Sequence, residues 1–279
     1  MHTAKVEKRT YKSPDGGKRT LAGVLIFISC LLILAGLLRD NNSGVKLEVK
    51  ITPTPTVLGP SFDETRATRE ISLPSKIWYA IQLGSFDSEA SAKTQADTFV
   101  ARGAAGFVYK DSRYRVLAAL YPSREEAQTV RQQLQSQHEI DSYVYEIVLP
   151  EILLNVEGMA GQLDALEAGL QFLSTTIGKY CESAISMDRQ DLSTEQELTR
   201  LAEIATQADT LQNVLKQRFA SVNYAAVDNL ILLLNDVSKA AKSVAEASLK
   251  GAIPMASQMK YQTLSLLSSI RTYLNSFSQ

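Results

Sequence analysis

Trp78-Tyr-Ala-Ile-Gln-Leu-Gly-Ser-Phe86 and Arg113-Tyr-Arg-Val-Leu-Ala-Ala-Leu-Tyr121 are the two stretches of this 279-residue chain that decide its fold. In each, the residues alternate with the two-residue period of a β-strand, and a charged, Ala/Gln-rich stretch with helical periodicity follows. A short strand at residues 105–110 precedes the second stretch, with Lys110-Asp-Ser112 as the hairpin turn, and residues 142–149 supply a last strand. The predicted order is therefore strand, helix, strand, strand, helix, strand.

Both helices of this module carry recognisable end signals. Ser88 is the expected N-cap of the first helix and Gly103 its stop, while Ser123 with Glu126 three residues later has the spacing of a capping box. Both helices are expected to cover one apolar face of the sheet, to which Ile81 and the other apolar residues of the first strand point.

The opposite face of the sheet is predicted to be open to solvent. Its expected members, placed by strand alternation, are polar or aromatic: Gln82, Arg113, Arg115, Phe107, Tyr109 and one parity of residues 143–147. Leu117 and Ala119 are also expected there. Amide and guanidinium groups donate hydrogen bonds to hydroxyl and acetamido oxygens, and aromatic rings stack on the apolar faces of sugars. The face therefore suits a saccharide.

This arrangement, with Ile-Gln-Leu-Gly-Ser-Phe at 81–86 and Tyr-Arg-Val at 114–116, resembles the SPOR (sporulation-related repeat) domain, a small peptidoglycan-binding module. The resemblance covers residues 75–149 and implies a βαββαβ four-stranded antiparallel sheet. It also implies that Gln82, Ser85 and Arg115 belong to a glycan-binding face, although strict alternation turns Ser85 inward. The usual Gly of the third-strand motif is Ala119, which is expected to add a methyl group to that face. The family's preference for glycan strands without stem peptides implies a place at division septa.

Residues 21–38 contain no charged side chain, and as a helix they rise about 27 Å, close to the thickness of a hydrocarbon core. We therefore predict a single transmembrane helix at 20–38. The basic residues of 1–19 precede it, so the N-terminal tail is expected in the cytoplasm and the rest of the chain outside. The alternatives are a cleaved signal peptide, whose apolar core is normally shorter, and a lipoprotein box at Ile28-Ser29-Cys30.

Residues 39–74 include Thr52-Pro-Thr-Pro-Thr56 and are predicted to form an extended linker, within which 62–71 is alternatively a short helix. Residues 150–279 contain four stretches with helical periodicity, at about 152–181, 194–219, 223–249 and 254–277, which predict an all-α helical bundle. Such a bundle binds a partner protein, dimerises or stabilises the module. Its carboxylates at Glu195, Glu197 and Glu203 are expected on a solvated face.

Composition narrows the function. The formal net charge of −1 gives no overall attraction to nucleic acid, and two cysteines with two histidines predict neither a disulfide framework nor a metal site or other cofactor. RNA-recognition domains share this topology, but an outward-facing module meets no RNA.

The sequence thus predicts a non-catalytic α+β membrane protein that binds peptidoglycan glycan strands in cell division or sporulation. The alternatives are a cell-wall hydrolase or its activator, and a scaffold that binds a protein partner through the bundle.

Overall fold

The computed structural model describes residues 65–191, 193–221, 224–250 and 254–277. The predicted basic tail, the predicted transmembrane helix at 20–38 and residues 39–64 of the predicted linker lie outside these ranges. Within them, no helix is long and apolar enough to cross a membrane.

The described residues form β-strands and α-helices in a mixed order. The strands are β1 (Arg66–Leu73), β2 (Lys76–Phe86), β3 (Phe107–Lys110), β4 (Tyr114–Tyr121), β5 (Tyr143–Leu149) and β6 (Ile152–Met159). The helices are α1 (Glu89–Val100), α2 (Arg124–His138), α3 (Ala160–Arg189), α4 (Thr194–Arg218), α5 (Ala225–Lys250) and α6 (Met255–Asn275).

Strands β2 to β5 form the predicted four-stranded antiparallel sheet, in the order β3-β4-β2-β5. The predicted helix starts are confirmed, because the hydroxyls of Ser88 and Ser123 accept hydrogen bonds from the backbone N–H groups of Ser91 and Glu126. Helices α1 and α2 cover one face of the sheet, as expected. Ile81 is buried there in one apolar cluster that also contains residues from both helices.

The prediction that the other sheet face is open is wrong for most of its area, because α6 packs against β3, β4 and β5 and α3 lies against Trp78 and Leu120. Trp78 and Leu117 have no exposed surface, and even Gln82 is only 8% exposed. Several side chains of this face are apolar, and burying apolar surface is worth about 25 cal/mol per Å². A bundle with an apolar surface of its own therefore covers them.

Strands β1 and β6 form a two-stranded antiparallel ribbon, with Leu73 opposite Ile152. This ribbon corrects two predictions, since residues 66–73 are neither linker nor helix and the first long helix begins at Ala160 instead of 152. Alternate residues of the ribbon face α3. Ile71 is buried, and the Arg69 guanidinium contacts the Asp164 carboxylate of α3 at 2.5 Å.

Helices α3 to α6 form the predicted bundle, in which each helix packs against the next and α3 also packs against α6. A capping box of Ser193 and Gln196 begins α4. Glu197, however, is fully buried and not solvated as predicted. It precedes the buried Leu201 by four residues, so helical spacing places it on the inward side of α4, where Arg200 lies 3.5 Å away.

Candidate functional site

A β-bulge in β2 brings Ser85 to the face that carries Gln82. Gln82 pairs with Leu117 and Gly84 with Val116, so β2 has one extra residue, Leu83, relative to β4. The side-chain alternation of β2 shifts by one position after the bulge. Ser85 consequently lies opposite Arg115 and on its face, although strict alternation turns it to the other side. The Ser85 hydroxyl is buried and has no hydrogen-bond partner in the described part of the chain.

Arg115 is the centre of a hydrogen-bond network on this face. Its guanidinium donates to the Gln82 side-chain oxygen and to the Asp111 carboxylate, both at 2.8 Å. The Tyr145 hydroxyl donates to the same carboxylate at 2.6 Å, and the Tyr145 ring centroid lies 4.5 Å from the Arg115 guanidinium carbon. These contacts hold the Arg115 and Gln82 side chains in one arrangement.

Asp111 belongs to this network but was not among the residues predicted from the sequence. Burial alone would raise the pKa of its carboxyl, but hydrogen bonds from the Arg113 backbone, Tyr145 and Arg115 together lower that pKa well below its usual range. Burial and the bond to Asp111 raise the pKa of Tyr145 to about 12, so its hydroxyl stays protonated. The sequence signal that could have found Asp111 is its place in a hairpin turn, two residues before Arg113. From such a position an Asp carboxylate accepts a hydrogen bond from the backbone N–H two residues on, here that of Arg113.

Arg113 lies at the rim of the face, just before β4 begins. Its exposed guanidinium donates to the backbone oxygen of Ser85 at 3.3 Å and contacts the Asp87 carboxylate at 3.1 Å. Tyr143 lies opposite Gln82 in the neighbouring strand and is 65% exposed, so an aromatic ring faces solvent beside the network.

We call this part of the sheet the polar end. Its members are Gln82, Ser85, Asp111, Arg113, Arg115, Tyr143 and Tyr145. None of the side-chain hydrogen bonds described above joins the polar end to the bundle.

Phe107 and Tyr109 lie on the predicted face, since they pair with Leu117 and Arg115, but α6 crosses over them. Tyr109 is only 4% exposed. Phe107 packs edge-on against Tyr261 of α6, with ring centroids 5.4 Å apart. The structure therefore brings these two aromatic residues to the face but does not leave them open.

Ala119 is not on this face, contrary to the prediction. A second irregularity separates the pairs Gln82–Leu117 and Ala80–Leu120, which leaves an extra residue in β4. Ala119 consequently packs in the apolar cluster under α1 and α2. Its methyl group adds nothing to the polar end.

The sequence model of the SPOR domain matches residues 77–146. This module is a SPOR domain. SPOR domains are generally peptidoglycan-binding modules that function in cell division. Comparisons of the chain with curated proteins and with solved structures gave no match. The match lies within the span from β2 to β5 and leaves the ribbon and the bundle outside it.

The SPOR domain's polar end has the chemistry of a binding surface. It offers amide, guanidinium and hydroxyl groups next to an exposed ring. Across the described ranges there is no group of three or more His, Cys, Asp or Glu side chains placed to hold a metal ion. The structure adds Asp111 to the sequence-predicted set, and it shows that Tyr143 and Tyr145 are the members of 143–147 that lie on this face.

Proposed function

We propose that this chain is a non-catalytic, membrane-anchored protein that binds peptidoglycan glycan strands outside the cell and acts in cell division or sporulation. The SPOR domain supports the peptidoglycan partner. The observation that carries the proposal is the bulge in β2, which puts Ser85 next to Arg115 on the face of Gln82. These are the three side chains that the family resemblance assigns to glycan binding.

The polar end is the proposed contact surface, because α6, with α3 at Trp78 and Leu120, covers the rest of the face. Tyr143 offers a ring that can stack on the apolar face of a sugar, and Arg113 offers guanidinium donors at the rim. Phe107 and Tyr109, which α6 covers, support the residues that contact the glycan strand.

The membrane anchor at 20–38 and the linker that follows it remain part of this proposal. They would hold the SPOR domain at a distance from the membrane, where wall glycans are present and RNA is absent. The bundle shares a continuous apolar core with the sheet. That shared core favours a supporting role for the bundle, with a protein partner for its outer surface as the alternative.

The test is sedimentation of the full-length protein with wall glycans from which amidase has removed the stem peptides. We expect Arg115→Ala and Gln82→Glu each to weaken binding about tenfold, because hydrogen bonds to charged groups are worth about 1.5–3 kcal/mol and about 1.4 kcal/mol is tenfold. Gln82→Glu also places a carboxylate next to Arg115. Lys242→Ala, which removes an exposed cation of the bundle, is the control and should bind normally. Equal retention of all four proteins would argue against the polar end.

A further inference from the structure

Helix α6 carries an arginine onto the sheet face. The Arg271 guanidinium donates to the Tyr109 hydroxyl, and its Nε donates to the backbone oxygen of Val148 at 3.2 Å. Arg271 is half-buried. The bundle therefore contributes a cation to a face that otherwise belongs to the SPOR domain.

Arg271 differs from the two arginines of the polar end in its charge balance. Arg115 contacts Asp111 at 2.8 Å, and Arg113 contacts Asp87 at 3.1 Å. Arg271 forms no ion pair with any carboxylate in the part of the chain that the structure describes. Its two partners there are a neutral hydroxyl and a carbonyl oxygen. A half-buried cation without a counterion is unfavourable, and an anionic ligand removes that cost.

Arg271 also keeps donors for such a ligand. A guanidinium has five N–H groups, of which two are used in these hydrogen bonds, so about three remain. Two parallel N–H groups of a guanidinium match the two oxygens of a carboxylate.

Two neighbouring aromatic rings, tilted by 55° to each other, connect Arg271 to the polar end. The Tyr109 ring, whose hydroxyl it contacts, lies 6.0 Å from the Tyr145 ring between centroids. Tyr145 in turn contacts both Asp111 and Arg115. A strand of linked sugars on the polar end would extend toward α6 along this line.

A glycan strand without stem peptides has a distinctive anion. The stem peptide is joined by an amide bond to the lactyl group of muramic acid, and hydrolysis of that bond leaves a free carboxylate. We propose that Arg271 binds this lactyl carboxylate, so that the bundle supplies the part of the site that distinguishes bare strands from peptide-bearing ones. This inference rests on the proposed glycan-binding function. Strand recognition is then shared by the SPOR domain and helix α6.

The experiment compares one glycan preparation in two chemical forms. Amidase-treated strands with free carboxylates form one arm, and the same strands with those carboxylates converted to N-methylamides form the other. A polyuronate serves as a general polyanion control. The full-length protein is compared with Arg271→Gln and with Arg124→Gln, which removes an arginine on the α2 side of the sheet.

We expect the wild type to bind the free carboxylate form about tenfold more tightly than the methylamide form, a typical effect of a charge-assisted hydrogen bond. Arg271→Gln should lose that preference while binding the methylamide form as the wild type does. Arg124→Gln should keep the preference. If Arg271→Gln does not fold, Arg271→Lys retains the charge without the planar pair of donors and should show a reduced preference.

Several outcomes overturn the inference. If Arg271→Gln, or Arg271→Lys where that variant is used, keeps the wild-type preference for the free carboxylate form, another residue binds the carboxylate. Equal weakening on both forms shows that Arg271 only clamps α6 to the sheet. Wild-type binding of both forms with equal affinity also refutes it but leaves the proposed function intact, and so does tighter binding of the polyuronate than of the free carboxylate form. Failure of the wild type to bind either form refutes the proposed function itself.

Discussion

Replacement of Trp78 tests whether the SPOR domain and the bundle fold as one unit. Trp78 is fully buried, and a Cβ added at Gly178 of α3 would lie 3.9 Å from its ring. Removing such a large buried side chain typically costs about 3–5 kcal/mol. The indole N–H has no hydrogen-bond partner within the described residues, and this unpaired group already lowers the native stability. We therefore expect Trp78→Ala to lower the free energy of unfolding by about 3 kcal/mol.

The measurement is urea denaturation of residues 65–279, followed by far-ultraviolet circular dichroism, for the wild type and Trp78→Ala. Trp78 is the single tryptophan of the chain, so its fluorescence in the wild type reports on the contact between sheet and bundle. We expect the fluorescence and dichroism transitions of the wild type to coincide, as for one cooperative unit. Two separate transitions, or a loss below about 1 kcal/mol in the variant, would contradict the shared core.

Three further predictions address individual contacts. Gly178→Ala should raise the melting temperature, because Ala is favoured over Gly in a helix by about 0.5–1 kcal/mol and the new methyl would meet Trp78 at an ordinary 3.9 Å. A lowered melting temperature would mean that this part of α3 packs more tightly. Asp111→Asn should lower the melting temperature more at pH 7 than at pH 3. Burial raises the pKa of the Asp111 carboxyl, but its hydrogen bonds lower that pKa by more. The ionised carboxylate therefore stabilises the fold fully above the ordinary carboxyl pKa of about 3.9, and this stabilisation is lost as the pH falls through the lowered pKa of the folded protein. Equal losses at both pH values would exclude that contribution. Lys260→Met should lower the free energy of unfolding, measured by urea denaturation, by about 3–5 kcal/mol, because it leaves the buried Asp188 carboxylate without its partner at 2.7 Å. The double variant with Asp188→Leu should recover most of the loss, and no recovery would show that the two residues act independently.

Much of the SPOR domain's local structure could be predicted from the sequence. The alternation around Ile81 and Val116 predicts strands, and Ser88 and Ser123 predict where the helices begin. These signals depend on residues within one or two turns of each other, so they can be recognised without knowledge of the rest of the chain. The polar residues of the binding surface are also visible as a set, except for Asp111.

Non-local pairing decided what the local pattern could not. Residues 152–159 have apolar positions that fit both a helix and a strand, and they become a strand because residues 66–73 pair with them. The side to which Ser85 points depends on the register between β2 and β4, and the bulge exists only in that pairing.

The sequence by itself determined that this chain contains an α+β module with glycan-compatible side chains on one sheet face. Only the tertiary structure decided how much of that face remains accessible, because burial depends on which distant apolar surface packs there. Helix α6 follows the last strand of the sheet by more than a hundred residues, yet it covers Tyr109 and places Arg271 on the face. Hydrophobic burial is not directional and acts between any surfaces that the fold brings together, so the sequence pattern of one strand does not reveal what covers it.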